Sequence, residues 1–261
     1  MLRIFPAFYG YAVFYVVGRL WIKLPIDWPS LASCLTYTSN YFFAFSNHPL
    51  ATMLHTWSLA VEEQFYLLWP FLVWRFRNNR VGLIRGLGCA IAAIWAYRWV
   101  MAGFSSMSTY VFGSFETRAD ALAIGCLIAI ANRENRIPRW LIDNKVLSLV
   151  AVITVCICSA TQLNGPRFAW ALTALSFAIL IMHSVAHSRS LWFRWLETPL
   201  LTNLGLISYS LYLYHPFANR LPAAFRNIPS EVAFAIVLAT VSYIFVEKPF
   251  LRLKQRHVHL G

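Results

Sequence analysis

The chain has 261 residues, of which 59% are hydrophobic and only 12% are charged, and its mean hydropathy is +0.57. Because charged residues make up about a quarter of an average soluble domain, this composition excludes a water-soluble domain, a disordered chain and a disulfide framework. The net charge of +12 therefore indicates basic loops beside membrane-spanning helices rather than a nucleic-acid-binding surface.

Eight apolar runs approach the length of about 20 residues that a membrane-spanning helix requires. The sequence thus predicts an all-α, polytopic membrane helix bundle of about eight transmembrane helices, forming a single domain over residues 1–261. The runs lie at about 4–24, 56–75, 82–102, 117–132, 146–162, 168–187, 200–218 and 231–250. Between the first two runs, Ser, Thr and Asn residues interrupt the aromatic segment 25–54, where we expect an interfacial or re-entrant loop.

Basic residues are distributed unequally between the two ends of these helices. If successive helices alternate in direction, fifteen Lys and Arg residues lie on the side of Arg3 and six lie on the other side, with Arg98 inside a span. Cytoplasmic loops carry the excess of Lys and Arg in membrane proteins. We therefore expect both termini to be cytoplasmic.

The second run, HTWSLAVEEQFYLLWP, carries the densest set of polar residues. On one continuous helix, His55, Ser58, Glu62, Tyr66 and Trp69 would follow i, i+3 and i+4 spacing along one stripe. Ionisable groups at membrane depth are costly, so each is a functional hypothesis by default. Such a stripe can carry proton-transfer chemistry, and it can equally be a structural network that holds the bundle together.

Polar residues also mark the fourth and seventh runs. In FETRADALAIGCLIA, Arg118 and Asp120 point in different directions on a helix, so we expect each to pair with another helix; the alternative is a charged helix end at the water boundary. In LGLISYSLYLYHPF, Ser208, Tyr212 and His215 share a stripe. Two polar stripes that each carry a histidine predict a shared aqueous cavity.

The remaining polar positions carry weaker signals. The eighth run ends in SYIFVEKPF, where Glu247 lies near the cytoplasmic boundary and suggests an interfacial ion pair. His183 and His187 are one helical turn apart without an acidic companion, so they indicate a span end. The five cysteines show no CxxC pair, and we expect no metal site.

Four of the segments quoted above resemble, in the same order, the motifs of the membrane-bound acyltransferase family 3, the O-acyltransferases that modify bacterial surface and secreted glycans. They are HTWSLAVEEQFYLLWP, FETRADALAIGCLIA, LGLISYSLYLYHPF and SYIFVEKPF. The opening MLRIFPAFYG resembles the Arg-Arg-x-x-Arg-Ile-x-Pro element that begins the third helix of that family. The resemblance runs from residue 2 to about residue 252.

The resemblance implies a ten-helix bundle in the inner membrane of a bacterium. We therefore expect two N-terminal helices, with the histidine regarded as the catalytic base of the family, to be absent from this chain and the chain alone to be inactive. The implied reaction moves an acyl group, usually acetyl, from cytoplasmic acyl-CoA as co-substrate to a hydroxyl of a lipid-linked or exported glycan. The expected partners are thus the bilayer, acyl-CoA and a glycan, with no bound cofactor and no nucleic acid.

The resemblance also implies roles for individual residues. Arg3 would meet CoA or the oxyanion, Glu62 and Tyr66 would orient the acceptor or a base, and Glu247 would close the cavity from the cytoplasmic side. The catalytic candidates are His55, Glu62, Tyr66 and His215. The candidates for binding substrate or acyl-CoA are Arg3, Ser58, Arg118, Asp120, Ser208, Tyr212 and Glu247.

Two other functions compete with this interpretation. Intramembrane acidic, basic and histidine residues also mark the proton relays of proton-coupled transporters. Transporters often consist of two related halves, however, and the sequence shows no such internal symmetry. The second alternative is an inactive, truncated remnant of an acyltransferase, which the absent histidine would favour.

Overall fold

A computed structural model describes residues 4–46, 53–161, 165, 167–188, 190–218 and 227–258, with the backbone alone for residues 161, 192 and 254–258. Every regular element in this described part is a helix, which confirms the predicted all-α class. The α-helices are α1 (Ile4–Trp21), α2 (Trp28–Leu35), α3 (Ser39–Phe45), α4 (Trp57–Arg75), α5 (Arg80–Met101), α6 (Ser108–Gly113), α7 (Phe115–Arg118), α8 (Asp120–Arg133), α9 (Arg139–Asp143), α10 (Lys145–Thr161), α11 (Ala169–Ala186), α12 (Leu191–Arg194), α13 (Pro199–Ala218), α14 (Ile228–Ser242) and α15 (Lys248–Val258).

The chain divides into two compact units, and the first combines segments from the N-terminal and the C-terminal parts of the chain. This unit comprises Met1–Thr36, Pro49–Thr56 and Trp195–Gly261. Helix α13 packs along α14, and α1 packs against α13. Ala7, Phe8, Tyr11 and Tyr15 are buried on α1, at the spacing that places them on one helical face. This face meets α13, where the Tyr11 ring lies edge-on to that of Tyr214 with centroids 5.5 Å apart.

The second unit comprises Tyr37–His48 and Trp57–Arg194. Its helices α10 and α11 pack side by side, and α8 packs against both α5 and α11. Leu83, Leu87 and Ile91 of α5 follow a four-residue spacing and pack on Ala123 and Ile124 of α8 in one apolar core. This core fixes the position of α8 relative to α5, which in turn brings polar groups near their ends together.

The apolar runs coincide with helices in every case, although whether each crosses a membrane stays a prediction. Within the described part, three helical stretches are long and apolar enough to span a bilayer: Arg80–Met101, Ala169–Ala186 and Ile228–Leu253. A shorter apolar helix covers Lys145–Ala160. Large apolar side chains such as Leu67, Val185 and Phe245 point away from the protein, as expected for helices in contact with lipid.

The segment that we expected to be a loop contains two short helices. Asp27 caps the first turn of α2, because its side chain accepts a hydrogen bond from the backbone N–H of Ser30 at 3.2 Å. Pro29, at the start of α2, suits a position where a helix has no need of an N–H donor. Helix α3 then packs against α4 and α6. Local capping therefore supplies structure that hydropathy alone did not reveal.

Two helical runs are interrupted next to their polar residues. Ala119 separates α7 from α8, so the predicted run 117–132 is not one continuous helix. The eighth run changes to a π-helical turn, Tyr243–Glu247, between α14 and α15. Single π-turns inside α-helices are rare and occur frequently at functional sites. Both interruptions reorient charged side chains that a regular helix would direct elsewhere.

Candidate functional site

His55 lies in a turn of 3₁₀-helix, Leu54–Thr56, and not on helix α4. The predicted stripe from His55 to Glu62 is therefore wrong at its first member, because a 3₁₀-turn does not continue the 3.6-residue period of the helix that follows. The ring of His55 instead meets α13. Its centroid lies 5.3 Å from the rings of both Tyr212 and His215.

The two histidines form a cluster with Tyr212 in the first unit. The Tyr212 hydroxyl donates a hydrogen bond to the backbone carbonyl of His55, and Nδ1 of His215 donates to the Tyr212 carbonyl at 2.8 Å. Since Nδ1 is a donor, Nε2 of a neutral His215 ring carries the lone pair. The two histidine-bearing segments thus meet through their rings, while the shared aqueous cavity stays a prediction.

The two imidazoles differ in their surroundings. His215 is exposed, whereas the ring nitrogens of His55 are buried and form no hydrogen bond within the described residues. Tyr11 of α1 covers His55 edge-on, with ring centroids 5.7 Å apart. A buried neutral imidazole offers one N–H donor and one acceptor to a polar group that enters this cluster.

The other residues of the predicted stripe belong to the second unit. Ser58, Glu62 and Tyr66 lie on α4, where Ser58 and Glu62 are half-buried and Tyr66 is exposed. The neighbouring Gln64, which sequence reasoning passed over, donates hydrogen bonds to the Tyr37 carbonyl at 2.9 Å and to the Asn40 side chain at 3.0 Å. These bonds tie α3 to the turn of α4 that carries Glu62.

Asp120 forms a buried ion pair with Arg98 of α5. Nη1 of Arg98 lies 2.9 Å from Oδ2 of Asp120, and it also donates to the Thr117 carbonyl at 2.8 Å. The Trp95 indole N–H donates to the same carboxylate oxygen at 2.8 Å. The prediction that Asp120 pairs with another helix is thus confirmed. Asp120 does begin α8, as the alternative had it, but it is buried and not exposed to water.

Arg118, one residue before the helix break, contacts aromatic rings. Its guanidinium carbon lies 4.2 Å from the ring centroid of Trp170 and 5.4 Å from that of Trp57. A cation over an indole face is stabilised by the quadrupole of the ring. The break at Ala119 therefore separates two sets of contacts, since Asp120 faces α5 while Arg118 faces two indoles.

Glu116 of α7 accepts hydrogen bonds from two tyrosines. Tyr41 donates a hydrogen bond to Oε2 of Glu116 at 2.6 Å, and Tyr110 donates to Oε1. Burial, followed by these bonds to the carboxylate, raises the pKa of both phenols well above the ordinary value. Both tyrosines therefore remain protonated donors at physiological pH, and they occupy the Glu116 carboxylate.

Glu247 is fully buried rather than interfacial, which corrects the interpretation from its sequence position. Its Oε1 lies 2.5 Å from the hydroxyl of Ser210, which in turn lies 2.9 Å from the hydroxyl of Ser242. Ser208, the predicted site residue, is exposed and donates only to the Gly205 carbonyl of its own helix at 2.9 Å. The sequence prediction therefore named Ser208, whereas the serine that contacts the carboxylate is Ser210, two residues later.

Two further predictions concern residues away from these clusters. Arg3, expected at the mouth for CoA, lies outside the described residues. His183 is buried and hydrogen-bonded between helices, so it is a structural residue. Within the described part, no group of three or more His, Cys, Asp or Glu residues is arranged to hold a metal ion.

Comparison with known proteins places these clusters in a family. The family model described as "Acyltransferase domain", acyltransferase 3, matches residues 1–247. The chain belongs to the acyltransferase 3 family. The O-acetyltransferase OatA proteins of Staphylococcus aureus strains NCTC 8325 / PS 47 and COL are each 28% identical to it, across 91% of this chain and 40% of the relative. The chain thus spans about two fifths of the length of these curated relatives. No solved structure matches it.

The structure adds three residues to those that the acyltransferase 3 motifs indicated. They are Arg98, which neutralises Asp120, Gln64, which donates a hydrogen bond to Asn40, and Ser210, which donates one to Glu247. All three are buried or half-buried. A signal for Arg98 was present, because an arginine inside an apolar run needs a partner at membrane depth. Gln64 and Ser210 gave no such signal, since uncharged polar residues are common in membrane helices.

Proposed function

We propose that the chain is the membrane domain of an O-acyltransferase that moves an acyl group, most simply acetyl, from acyl-CoA at the cytoplasmic face to a hydroxyl of a cell-surface or exported glycan. The observation that carries the proposal is the family match over residues 1–247, joined to relatives whose names specify O-acetyl transfer. Acyl-CoA, the glycan and the inner membrane enter as parts of the proposal.

The chemistry defines what the residues must do. The oxygen of the acceptor hydroxyl forms a bond to the thioester carbonyl carbon, the carbon–sulfur bond breaks, and the hydroxyl proton passes through a base to the CoA sulfur. An imidazole is the side chain best suited to accept and return a proton near neutral pH. Within this chain, we assign the relay of this proton to the His55–His215 cluster, in which Nε2 of His215 carries a lone pair, beside the histidine that the resemblance places on the first helix of the family.

The same reaction requires the acceptor to be held in place. We assign Glu62 and Tyr66 of α4 to this task, since a carboxylate and a phenol one helical turn apart can hydrogen-bond two groups of a saccharide. Gln64 and its bonds to Tyr37 and Asn40 hold this turn of the helix. Orientation of the reacting groups accounts for a large share of the barrier reduction in bimolecular transfers.

The test uses membranes of cells that express the gene encoding this chain in its natural context. Radiolabelled acetyl-CoA is supplied, and acetyl incorporated into membrane glycan is measured and identified by mass spectrometry. We expect Glu62→Gln to lower transfer by about 100-fold or more, the range for loss of a group that handles a proton or orients a base. Immunoblotting should show an unchanged amount of protein.

Glu134→Gln is the matched control, because Glu134 is exposed at the end of α8 and undergoes the same chemical change. It should retain wild-type transfer. Full transfer by Glu62→Gln would contradict only the role assigned to Glu62 and would leave the proposed function standing. Absence of acetyl transfer by the wild-type protein to any membrane glycan would contradict the proposed function.

A further inference from the structure

Two arginines of the second unit converge on one indole ring. The guanidinium carbon of Arg118 lies 4.2 Å from the ring centroid of Trp170, and that of Arg98 lies 5.8 Å from the same centroid. They come from different helices, Arg98 from α5 and Arg118 from α7. Two cations that repel each other therefore lie near the same indole ring.

The acidic residues nearby are engaged by other partners, which leaves Arg118 without an ion pair among the described residues. Asp120 neutralises Arg98 through the ion pair at 2.9 Å, and Trp95 occupies the same carboxylate oxygen. Glu116 is occupied by Tyr41 and Tyr110. Arg118 forms no hydrogen bond or ion pair with any residue in the described part of the chain; Asp120 acts on its charge from a distance but is itself paired with Arg98. A half-buried cation without a carboxylate is unfavourable unless an anion joins it.

Arg98 supplies a second, independent indication of a ligand. Its side chain is 1% exposed, yet Nε and Nη2 are buried and form no hydrogen bond within the described residues, because Nη1 alone makes the bonds to Asp120 and Thr117. Buried guanidinium donors nearly always have acceptors. The two donor groups lie on the arginine that shares Trp170 with Arg118, so they belong to the same local site.

The surrounding rings fit a saccharide rather than a bare ion. Trp57 contacts Phe112 with centroids 4.8 Å apart, and Phe112 approaches Trp170 at 6.0 Å. Phe112 is exposed and both tryptophans are half-buried, so the rings form a partly accessible aromatic surface beside the guanidiniums. Aromatic faces accept the C–H groups of a sugar, while a planar guanidinium suits a carboxylate or phosphate.

We propose that Arg98, Arg118, Trp57 and Trp170 form a binding site for an anionic saccharide, in which a carboxylate or a phosphate ester meets the guanidiniums and the sugar ring meets the indoles. The proposal rests on the proposed function and specifies its acceptor. In the topology that the charge bias predicts, Arg118 lies on the side opposite the cytoplasm. That position favours an acceptor glycan over the cytoplasmic donor, acyl-CoA.

Direct binding tests this site without requiring acetyl transfer. The detergent-solubilised chain is equilibrated by dialysis with radiolabelled D-glucuronic acid, D-glucose 6-phosphate or D-glucose, and acetyl-CoA is added as a competitor. We expect the preferred anionic sugar to bind at least about tenfold more tightly than glucose, as charge-assisted hydrogen bonds to a buried guanidinium would give. Whichever anionic sugar binds more tightly identifies carboxylate or phosphate as the recognised group.

Two substitutions with opposite expected effects separate recognition from folding. Arg118→Gln should abolish the preference for the anionic sugar, because it removes the guanidinium that has no ion pair among the described residues. Asp120→Asn should strengthen anion binding several-fold, since it removes the competing carboxylate and keeps an oxygen acceptor for Arg98 and Trp95. A merely structural role would weaken binding in both variants.

Arg167→Gln is the matched control, because Arg167 is exposed and lies over a different indole, that of Trp99, at 5.4 Å. It should leave the preference unchanged. Equal binding of charged and neutral sugars, weaker anion binding by Asp120→Asn, or acetyl-CoA displacing the sugar from this site would overturn the proposal. Acetyl transfer by the wild-type protein would still support the proposed function in each of these cases.

Discussion

Two serines of α13 show how a difference of two residues decides a contact. Ser208 and Ser210 lie about 200° apart around the helix axis, so they face different neighbours. The Ser210 hydroxyl lies 2.5 Å from the buried carboxylate of Glu247, whereas Ser208 is exposed and bonds to its own helix. A buried carboxylate depends on such donors, because each removed donor leaves desolvated charge.

We expect Ser210→Ala to lower the free energy of unfolding by about 1–3 kcal/mol, the cost of leaving a buried acceptor with one donor fewer. Ser208→Ala is the matched control and should change it by no more than about 0.5 kcal/mol, as at most surface positions. Titration of the detergent-solubilised protein with dodecyl sulfate, followed by far-ultraviolet circular dichroism, measures both. Equal stability of the two variants would show that the Glu247 contact contributes nothing.

Among the charged residues, the sequence prediction succeeded for Asp120 and failed for Glu247. It predicted that Asp120 would pair with another helix, because two charges two residues apart cannot share a helical face. It did not identify Arg98 as the partner, and it selected Ser208 over Ser210. Helical periodicity states which residues share a face, but only tertiary packing determines which neighbour that face meets.

A single histidine joins three helices of the second unit. Nε2 of His183, on α11, donates to the Leu141 carbonyl of α9 at 2.8 Å, and Nδ1 lies 2.5 Å from the hydroxyl of Ser148 on α10. The carbonyl can only accept, so Nε2 carries the proton and Nδ1 of the neutral ring accepts from Ser148. The ring therefore contributes to the packing of α9 and α10 against α11.

His183→Ala should lower the free energy of unfolding by about 2–4 kcal/mol, since it unpairs two polar groups and leaves a cavity at a buried site. His187→Ala, one helical turn later, is the control. His187 contacts exposed Asp143 at 3.9 Å, and a surface ion pair contributes about 0–1 kcal/mol. The same detergent titration distinguishes the variants, and a smaller loss for His183→Ala than for His187→Ala would contradict this assignment.

The sequence predicted helices better than their ends. All eight apolar runs coincide with helices, because continuous apolar composition is a strong signal over about 20 residues. It did not reveal that α4 begins at Trp57, after the turn that holds His55, or that Ala119 divides α7 from α8. Such breaks depend on tertiary contacts, here the rings of α13 around His55 and the pairing of Asp120 with α5.

At the scale of the whole molecule, the distribution of basic residues predicts an orientation. Arg75, Arg77 and Arg80 surround the short connection between α4 and α5, whereas the connection after α5 carries no Lys or Arg from residue 102 to residue 114. Short loops rich in Lys and Arg remain in the cytoplasm. The family match supports a membrane protein, and the number of crossings and the side of each loop stay predictions that this contrast makes testable.

Reporter fusions at the two ends of α5 give the sharpest test. Alkaline phosphatase, which is active only outside the cytoplasm, is joined after Asn78 in one fusion and after Ser106 in another, both at exposed positions outside the α-helices. We expect the first fusion to be inactive and the second to be active, and green fluorescent protein at the same positions should give the reverse pattern. Equal activity at both positions would show that Arg80–Met101 does not cross the bilayer, although it is long and apolar enough to do so. Reversed activities would place Arg118 on the cytoplasmic side, and the anion that this guanidinium binds would then be sought among cytoplasmic anions.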